Sequence, residues 1–302
     1  EAFKHYYYTN VKEATILSDY KAHFDLLEKA NHIADNDNDN DEEDNDGNHN
    51  GKGQYQDRKI SILEFSKHLK GTSEIYSKIE NKSFDSSKIN TRLFGLSRIE
   101  AKPSLTFLLD LFQRKVSEDD IIKIIRLIET FMLRRHICEY RTSELDDIFS
   151  RLVGIESDNI VENVKNNLKE KLPDNNEFFD KFQKAKFRGL EERAKAILEQ
   201  IEYHLIKDKG EYELKTGNEV HLEHIIPLTI NTRKSVKELG NWVRYLGKNS
   251  LEKHKEYVWR IGNLTILAQV LNIVAYNNPF KAKLKEYAKS NITLNKKIIK
   301  EY

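Results

Sequence analysis

Apolar residues recur at helical spacing through the first two thirds of the chain. Val11, Ala14, Ile16, Leu17, Tyr20, Phe24 and Leu27 predict a helix over 11–30. Leu63, Phe65, Leu69, Ile75, Tyr76 and Ile79 predict another over 60–80, and Pro103 introduces a short one running from Leu105 to Phe112. Ser117, with Asp120 three residues on, has the spacing of a capping box and opens a long helix. In that helix Ile121, Ile122, Ile124, Ile125, Leu127, Ile128, Phe131, Met132 and Leu133 are apolar almost all round, as in a helix at the centre of a bundle. Pro173-Asp174-Asn175-Asn176 breaks the pattern, and two further helices are expected over 178–187 and 190–205.

Beyond 206 the period shortens. Tyr212 to Lys215 alternates, Thr216-Gly217-Asn218 is a turn, and Glu219 to Leu222 alternates again, which predicts a small hairpin or two short strands. Pro227 stops the segment 220–226 and places His224 at a strand-to-loop exit. Gly262-Asn263 opens the run Leu264-Thr265-Ile266-Leu267, which has the length of a strand. A helix from Ala268 to Tyr276 carries Asn272, Asn277-Asn278-Pro279 stops it, and Phe280 starts a last helix with Lys281, Lys283 and Lys285. The expected fold class is mainly α: a helical bundle or linker domain over 1–205, then a small α+β domain over 206–302.

Composition narrows the choice of chemistry. With 12 Gly and 4 Pro in 302 residues, helices are favoured over a sandwich or barrel. Cys138 is the single cysteine, which rules out a disulfide framework and a Cys-based zinc site within the chain. With no 18-residue apolar run and no signal peptide, a soluble, cytoplasmic protein with no membrane partner is expected. A start at Glu1 rather than Met predicts a piece of a longer protein. Residues 206–302 carry +8, which leaves −7 for 1–205 against a total of +1. The stretch from Asp35 to Asn50 holds eight acids and no base, and is expected to be a disordered insertion over about 35–52. It is not a calcium loop, because Gly47 at the sixth loop position puts Gly53 where a bidentate Glu is required. The basic last third suits a polyanion partner and suits a solvated lysine surface equally. Arg134-Arg135-His136 reads as charges at a helix C-terminus pairing with Glu144, Asp146 or Asp147, and Lys181, Lys184, Lys186 and Arg188 read as a solvated face.

Glu223-His224, Gly262-Asn263 and Asn272 fit a one-metal phosphodiesterase. The imidazole of His224, titrating near neutrality, is the natural base for a water nucleophile. Glu223 and Asn272 offer carboxylate and amide oxygens, which suit Mg²⁺ or Mn²⁺ better than zinc. His221 and His224 at i, i+3 would form a zinc pair on a helix, but Pro227 and the β-type neighbours oppose a helix here. Trp242, Tyr245, Tyr257 and Trp259 are expected to pack the 228–260 segment, and His254 to lie at the surface.

Glu-His-Ile-Ile-Pro, Gly-Asn-Leu-Thr-Ile-Leu, the Asn nine residues after Asn263, and Asn-Pro-Phe-Lys-Ala-Lys resemble the HNH (ββα-metal) nuclease domain of the GmrSD and SspE restriction family, which are prokaryotic antiphage proteins. The likeness is strongest over about 206–302. Ile128 to Cys138 with Thr142 to Phe149 is similar to that family's linker helices. Phe3 to Tyr7 resembles the point where its N-terminal nucleotide-handling domain ends, and that domain's Asp-Gly-Gln-Gln-Arg signature is absent here. The resemblance implies a metal-dependent DNA endonuclease acting on phage DNA, which can carry modifications, with His224 and Asn263 catalytic and Glu223 and Asn272 on the metal. Asn263 would tie the loop after His224 to the second strand. Lys281 and Lys283 are the candidates for phosphate contacts. An N-terminal partner domain and a homo-oligomer are further expectations. The family's commoner pattern has Asp where Glu223 stands and His where Asn272 stands. A DNA-binding or regulatory module without catalysis is the rival class, and an RNA nuclease is a third.

Overall fold

The computed structural model describes residues 62–206, 219–231 and 241–301. The helix expected over 11–30, the acidic insertion and the strand expected near 212–215 lie outside the described residues. The described residues are mainly helical with one small two-stranded sheet, as the periodicity predicts. The chain divides into two compact units, one of residues 62–97, 101–131 and 141–172, the other of 98–100, 132–140 and 173–301. No helix among the described residues is long and apolar enough to cross a membrane.

The helices lying wholly or mostly in the first unit are α1 (Ile62–Asn81), α2 (Ser87–Arg98), α3 (Leu105–Gln113), α4 (Glu118–Ile137), α5 (Leu145–Ser150) and α6 (Ile160–Lys169); residue 98 and residues 132–137 belong to the second. Phe107, Leu108, Leu109 and Leu111 of α3 and Ile124, Ile125 and Ile128 of α4 are fully buried, which is why α4 can be apolar round most of its girth. Phe131 meets Phe149 edge to face at 5.9 Å between centroids. Ser117 caps α4 as its spacing predicts. Its hydroxyl accepts from the Asp120 N–H at 3.2 Å and donates to the Asp120 carboxylate at 2.8 Å.

The second unit is built round the sheet. Its elements are α7 (Asn175–Lys184), α8 (Glu191–Leu205), β1 (Val220–His224), α9 (Trp242–Leu246), α10 (Ser250–Tyr257), β2 (Leu264–Ala268), α11 (Gln269–Ala275), α12 (Phe280–Lys289) and α13 (Thr293–Glu301). The strands are antiparallel, with Leu222 opposite Ile266 and His224 opposite Leu264. Alternation puts Val220, Leu264 and Ile266 on one face, where they pack with Ile197 and Leu198 of α8, Phe187 and Ile292. Leu267 faces the other way, into a cluster with Trp242, Ala275, Phe280 and Tyr287. Two strands alone are unstable in water, so this ribbon depends on the helices covering both faces.

Buried polar groups fasten the pieces. The carboxylate of Glu202 accepts from the N–H groups of Thr293 at 2.6 Å and Leu294 at 2.9 Å, an anion at the N-terminus of α13. Asn295 accepts from Thr265 Oγ1 at 2.7 Å and donates to the Ile266 carbonyl at 2.9 Å. Of the basic cluster expected to pair with acids at 144–147, Arg134 donates instead to the Pro173 carbonyl and Asn175 Oδ1, both at 2.9 Å, and lies over the Phe178 ring. Lys184 and Lys186 are exposed and paired with Asp180 and Glu256. Such surface pairs add little stability.

One buried charge in the first unit makes stability depend on pH. Glu129 lies 3.5 Å from Arg92, yet burial outweighs the nearby guanidinium groups of Arg92 and Arg126 and raises its carboxyl from the usual 4.5 to about 7. The folded state therefore holds this proton more tightly than the unfolded chain. The associated stability is complete below pH 4.5 and is lost as pH rises through about 7. At ~1.4 kcal/mol for each pH unit separating the folded from the unfolded titration, the loss is about 3 kcal/mol at most. The unfolding midpoint of the parent should fall between pH 5 and pH 8, and Glu129→Gln should flatten that part of the profile. Identical profiles by circular dichroism would contradict this.

Candidate active site

β1 ends at His224, and the next three residues turn away from the ribbon. Two separate elements hold that turn. From the β2 side, Asn263 is 6% exposed and uses its whole amide. Its Oδ1 accepts from the Ile226 N–H at 2.8 Å, and its Nδ2 donates to the carbonyls of Ile226 and Val258, both at 3.0 Å. The Ile225 N–H donates to the Asn263 carbonyl at 2.9 Å and continues the ladder one step past the strand. An amide side chain suits this place, because it must accept from the N–H and donate to the carbonyl of one residue, Ile226.

From the other side comes α12. Phe280, Lys283 and Tyr287 stand at i, i+3 and i+7 and share its buried face. Lys283 is completely buried. Its Nζ donates to Glu223 Oε1 and to the His224 carbonyl, both at 2.6 Å. Tyr287 donates its hydroxyl to the same Glu223 oxygen at 2.9 Å. Burial raises the Glu223 carboxyl and lowers the Lys283 ammonium, and each partner pulls the other back towards its charged form. Burial, with the Glu223 charge beside it, pushes the Tyr287 phenol far up, so it serves as a donor at every working pH.

The His224 ring packs edge to face on Trp259, 4.6 Å between centroids. Burial, and then the Lys283 charge, hold its pKa down to about 4. It is a neutral imidazole at neutral pH. Its Nε2 is buried and has no hydrogen-bond partner. A buried polar atom left unpaired costs on the order of 1–3 kcal/mol. His254, expected at the surface, is half-buried on α10 and its Nε2 contacts the Pro227 carbonyl at 2.8 Å, a further tie on the turn.

The register fixes how these groups face. As neighbours on a strand, Glu223 and His224 point to opposite faces of the ribbon. Only a ligand at the end of the ribbon can reach both. Asn272 is half-buried on α11, the helix directly after β2. Lys281 is exposed on α12, whereas Lys283 is inside. The expected phosphate contact by Lys283 therefore gives way to an internal counter-ion, because its three donors never reach solvent. In donor type, the carboxylate of Glu223 and the amide of Asn272 fit a hard divalent cation. Both bonds from α12 fall on Oε1 of Glu223. The Lys283 charge on that carboxylate would make such a cation site weak. Among the described residues no three or more His, Cys, Asp or Glu side chains gather as a metal site.

Trp242 is 2% exposed and donates its indole N–H to the Asn278 carbonyl at 3.1 Å, so it packs as expected, while Tyr245 and Tyr257 are exposed. Both tyrosines line an apolar cleft of about 750 Å³ that reaches Ile225, Ile226 and Asn263. Neither Glu223 nor His224 lines that cleft, so its size says nothing about the chemistry at the strand end.

Residues 172–302 match the family described as GmrSD restriction endonucleases, C-terminal domain. No curated protein and no solved structure matches the chain.

Asn263→Ala would strand the N–H and carbonyl of Ile226 and the carbonyl of Val258. At about 1 kcal/mol net per bond, it should destabilise the second unit by roughly 2–4 kcal/mol in a denaturant titration. A change below about 0.5 kcal/mol, the size of an ordinary surface substitution, would contradict the pinning described.

Proposed function

We propose that this chain, whose residues 172–302 match the C-terminal domain of GmrSD restriction endonucleases, nicks or cuts DNA at the exit of β1 by metal-assisted hydrolysis of the HNH (ββα-metal) kind. The observation that carries the reading is the buried, unpartnered Nε2 of a neutral His224 at the end of a strand held from both sides.

In this reading His224 takes a proton at Nε2 from a water as the water's oxygen bonds to phosphorus. The bond from phosphorus to the leaving sugar oxygen breaks, and that oxygen collects a proton. A pKa near 4 keeps the base free at neutral pH but makes it a modest one. The negative charge of an arriving phosphate raises it towards the useful range. Asn263 keeps the peptide after His224 from swinging, so the imidazole meets the water in one orientation. Mg²⁺ or Mn²⁺ held by Glu223 and Asn272 would supply neutralisation of the phosphate charge. Lys281, exposed on α12, steers and holds backbone phosphates. Phage DNA is the natural target of such a module in a defence protein.

On supercoiled plasmid with Mn²⁺, His224→Ala should slow nicking about 10²–10⁴-fold. A variant as fast as the parent would refute the assignment. Lys281→Ala should weaken DNA binding and reduce the slope of log affinity against log salt by about 1. An unchanged slope would remove Lys281 from the interface.

A further inference from the structure

We infer that Lys283, seconded by Tyr287, is a positioning residue for the hydrolysis, holding Glu223 and the main chain of His224 in a single grip; the inference rests on the function proposed above. Lys283 is 0% exposed and spends its ammonium on the two consecutive residues at the end of β1, Glu223 Oε1 and the His224 carbonyl. Tyr287, one turn further along α12, fixes the same carboxylate oxygen. The carboxylate and the peptide between Glu223 and His224 are thereby tied to a helix that also buries Phe280 in the core.

Stability is a poor explanation for this arrangement. A lysine and a glutamate taken out of water lose solvation that their attraction barely returns, and apolar residues of similar size in such places are often neutral or stabilising. The position belongs to an apolar face, between Phe280 and Tyr287, where a Leu or Met would pack. A charged pair here is explained by what it touches. Supporting groups of this kind around an active centre typically carry about 10–100-fold in activity when removed.

The test compares the whole chain and its His224→Ala, Lys283→Met, Tyr287→Phe and Ile197→Ala variants. Plasmid nicking in Mn²⁺ gives kcat and KM, circular dichroism gives melting temperatures, and NMR of the metal-free protein gives the His224 ring Cε1–H signal. A folded Lys283→Met should lose about 10–100-fold in kcat with KM for DNA within twofold. Its His224 signal should broaden or split where the parent shows one sharp line. Ile197→Ala, a cavity in the core where α8 covers the ribbon, should melt earlier yet keep its kcat. A folded Lys283→Met with kcat within twofold of the parent and an unchanged His224 signal overturns the inference. So does an equal kcat loss in Ile197→Ala. If Lys283→Met does not fold, Tyr287→Phe decides: a lowered kcat with a shifted His224 signal supports the grip, and parental values overturn it. If His224→Ala nicks as fast as the parent, the proposed function fails instead, so the two failures are distinguishable.

Discussion

The second unit depends on how its buried backbone is satisfied where β1 stops. Among the described residues the ribbon has no third strand to take up the peptide groups after His224. Asn263 closes the problem from the β2 side with three side-chain hydrogen bonds and one from its main chain. From α12, Lys283 takes up the His224 carbonyl, and with Tyr287 it holds the Glu223 carboxylate. Residues 223 to 226 are therefore among the most constrained in the unit, although the chain is leaving the strand there.

That constraint also sets the electrostatics. The elements that pin the turn bring a buried cation beside the imidazole, and the cover they provide removes water from it. Both effects favour the neutral ring. The register sends Glu223 and His224 to opposite faces, so their common ground is the end of the ribbon. In the proposed reading, a phosphodiester bound there meets the neutral ring of His224 on one side and the carboxylate of Glu223 on the other.

Much of this is legible in the chain because local signals are strong. Ser117 and Asp120 mark the start of α4, Pro227 marks the exit of β1, and Asn277 to Pro279 separates α11 from α12. The role of Lys283 is harder to see, since a lysine among lysines reads as surface. Its spacing from Phe280 and Tyr287 places it on the inner face, and that periodicity is the better guide. The reverse holds for α11, where Val270, Ile273 and Val274, and Tyr276 just after it, are exposed although their apolarity suggests a core. The hydrogen bond of His254 to Pro227 and the packing of Trp259 on His224 are not legible, because both link residues across a long connection whose path no local pattern fixes.

The proposed function puts a DNA phosphate at the end of β1, within reach of a water held by Nε2 of His224. A crystal structure of His224→Ala with a short duplex and Mn²⁺ tests it most directly. The account predicts a backbone phosphate at the ribbon end, between residue 224 and the oxygens of Glu223 and Asn272. A duplex bound elsewhere on the second unit, with the end of β1 bare, would contradict it.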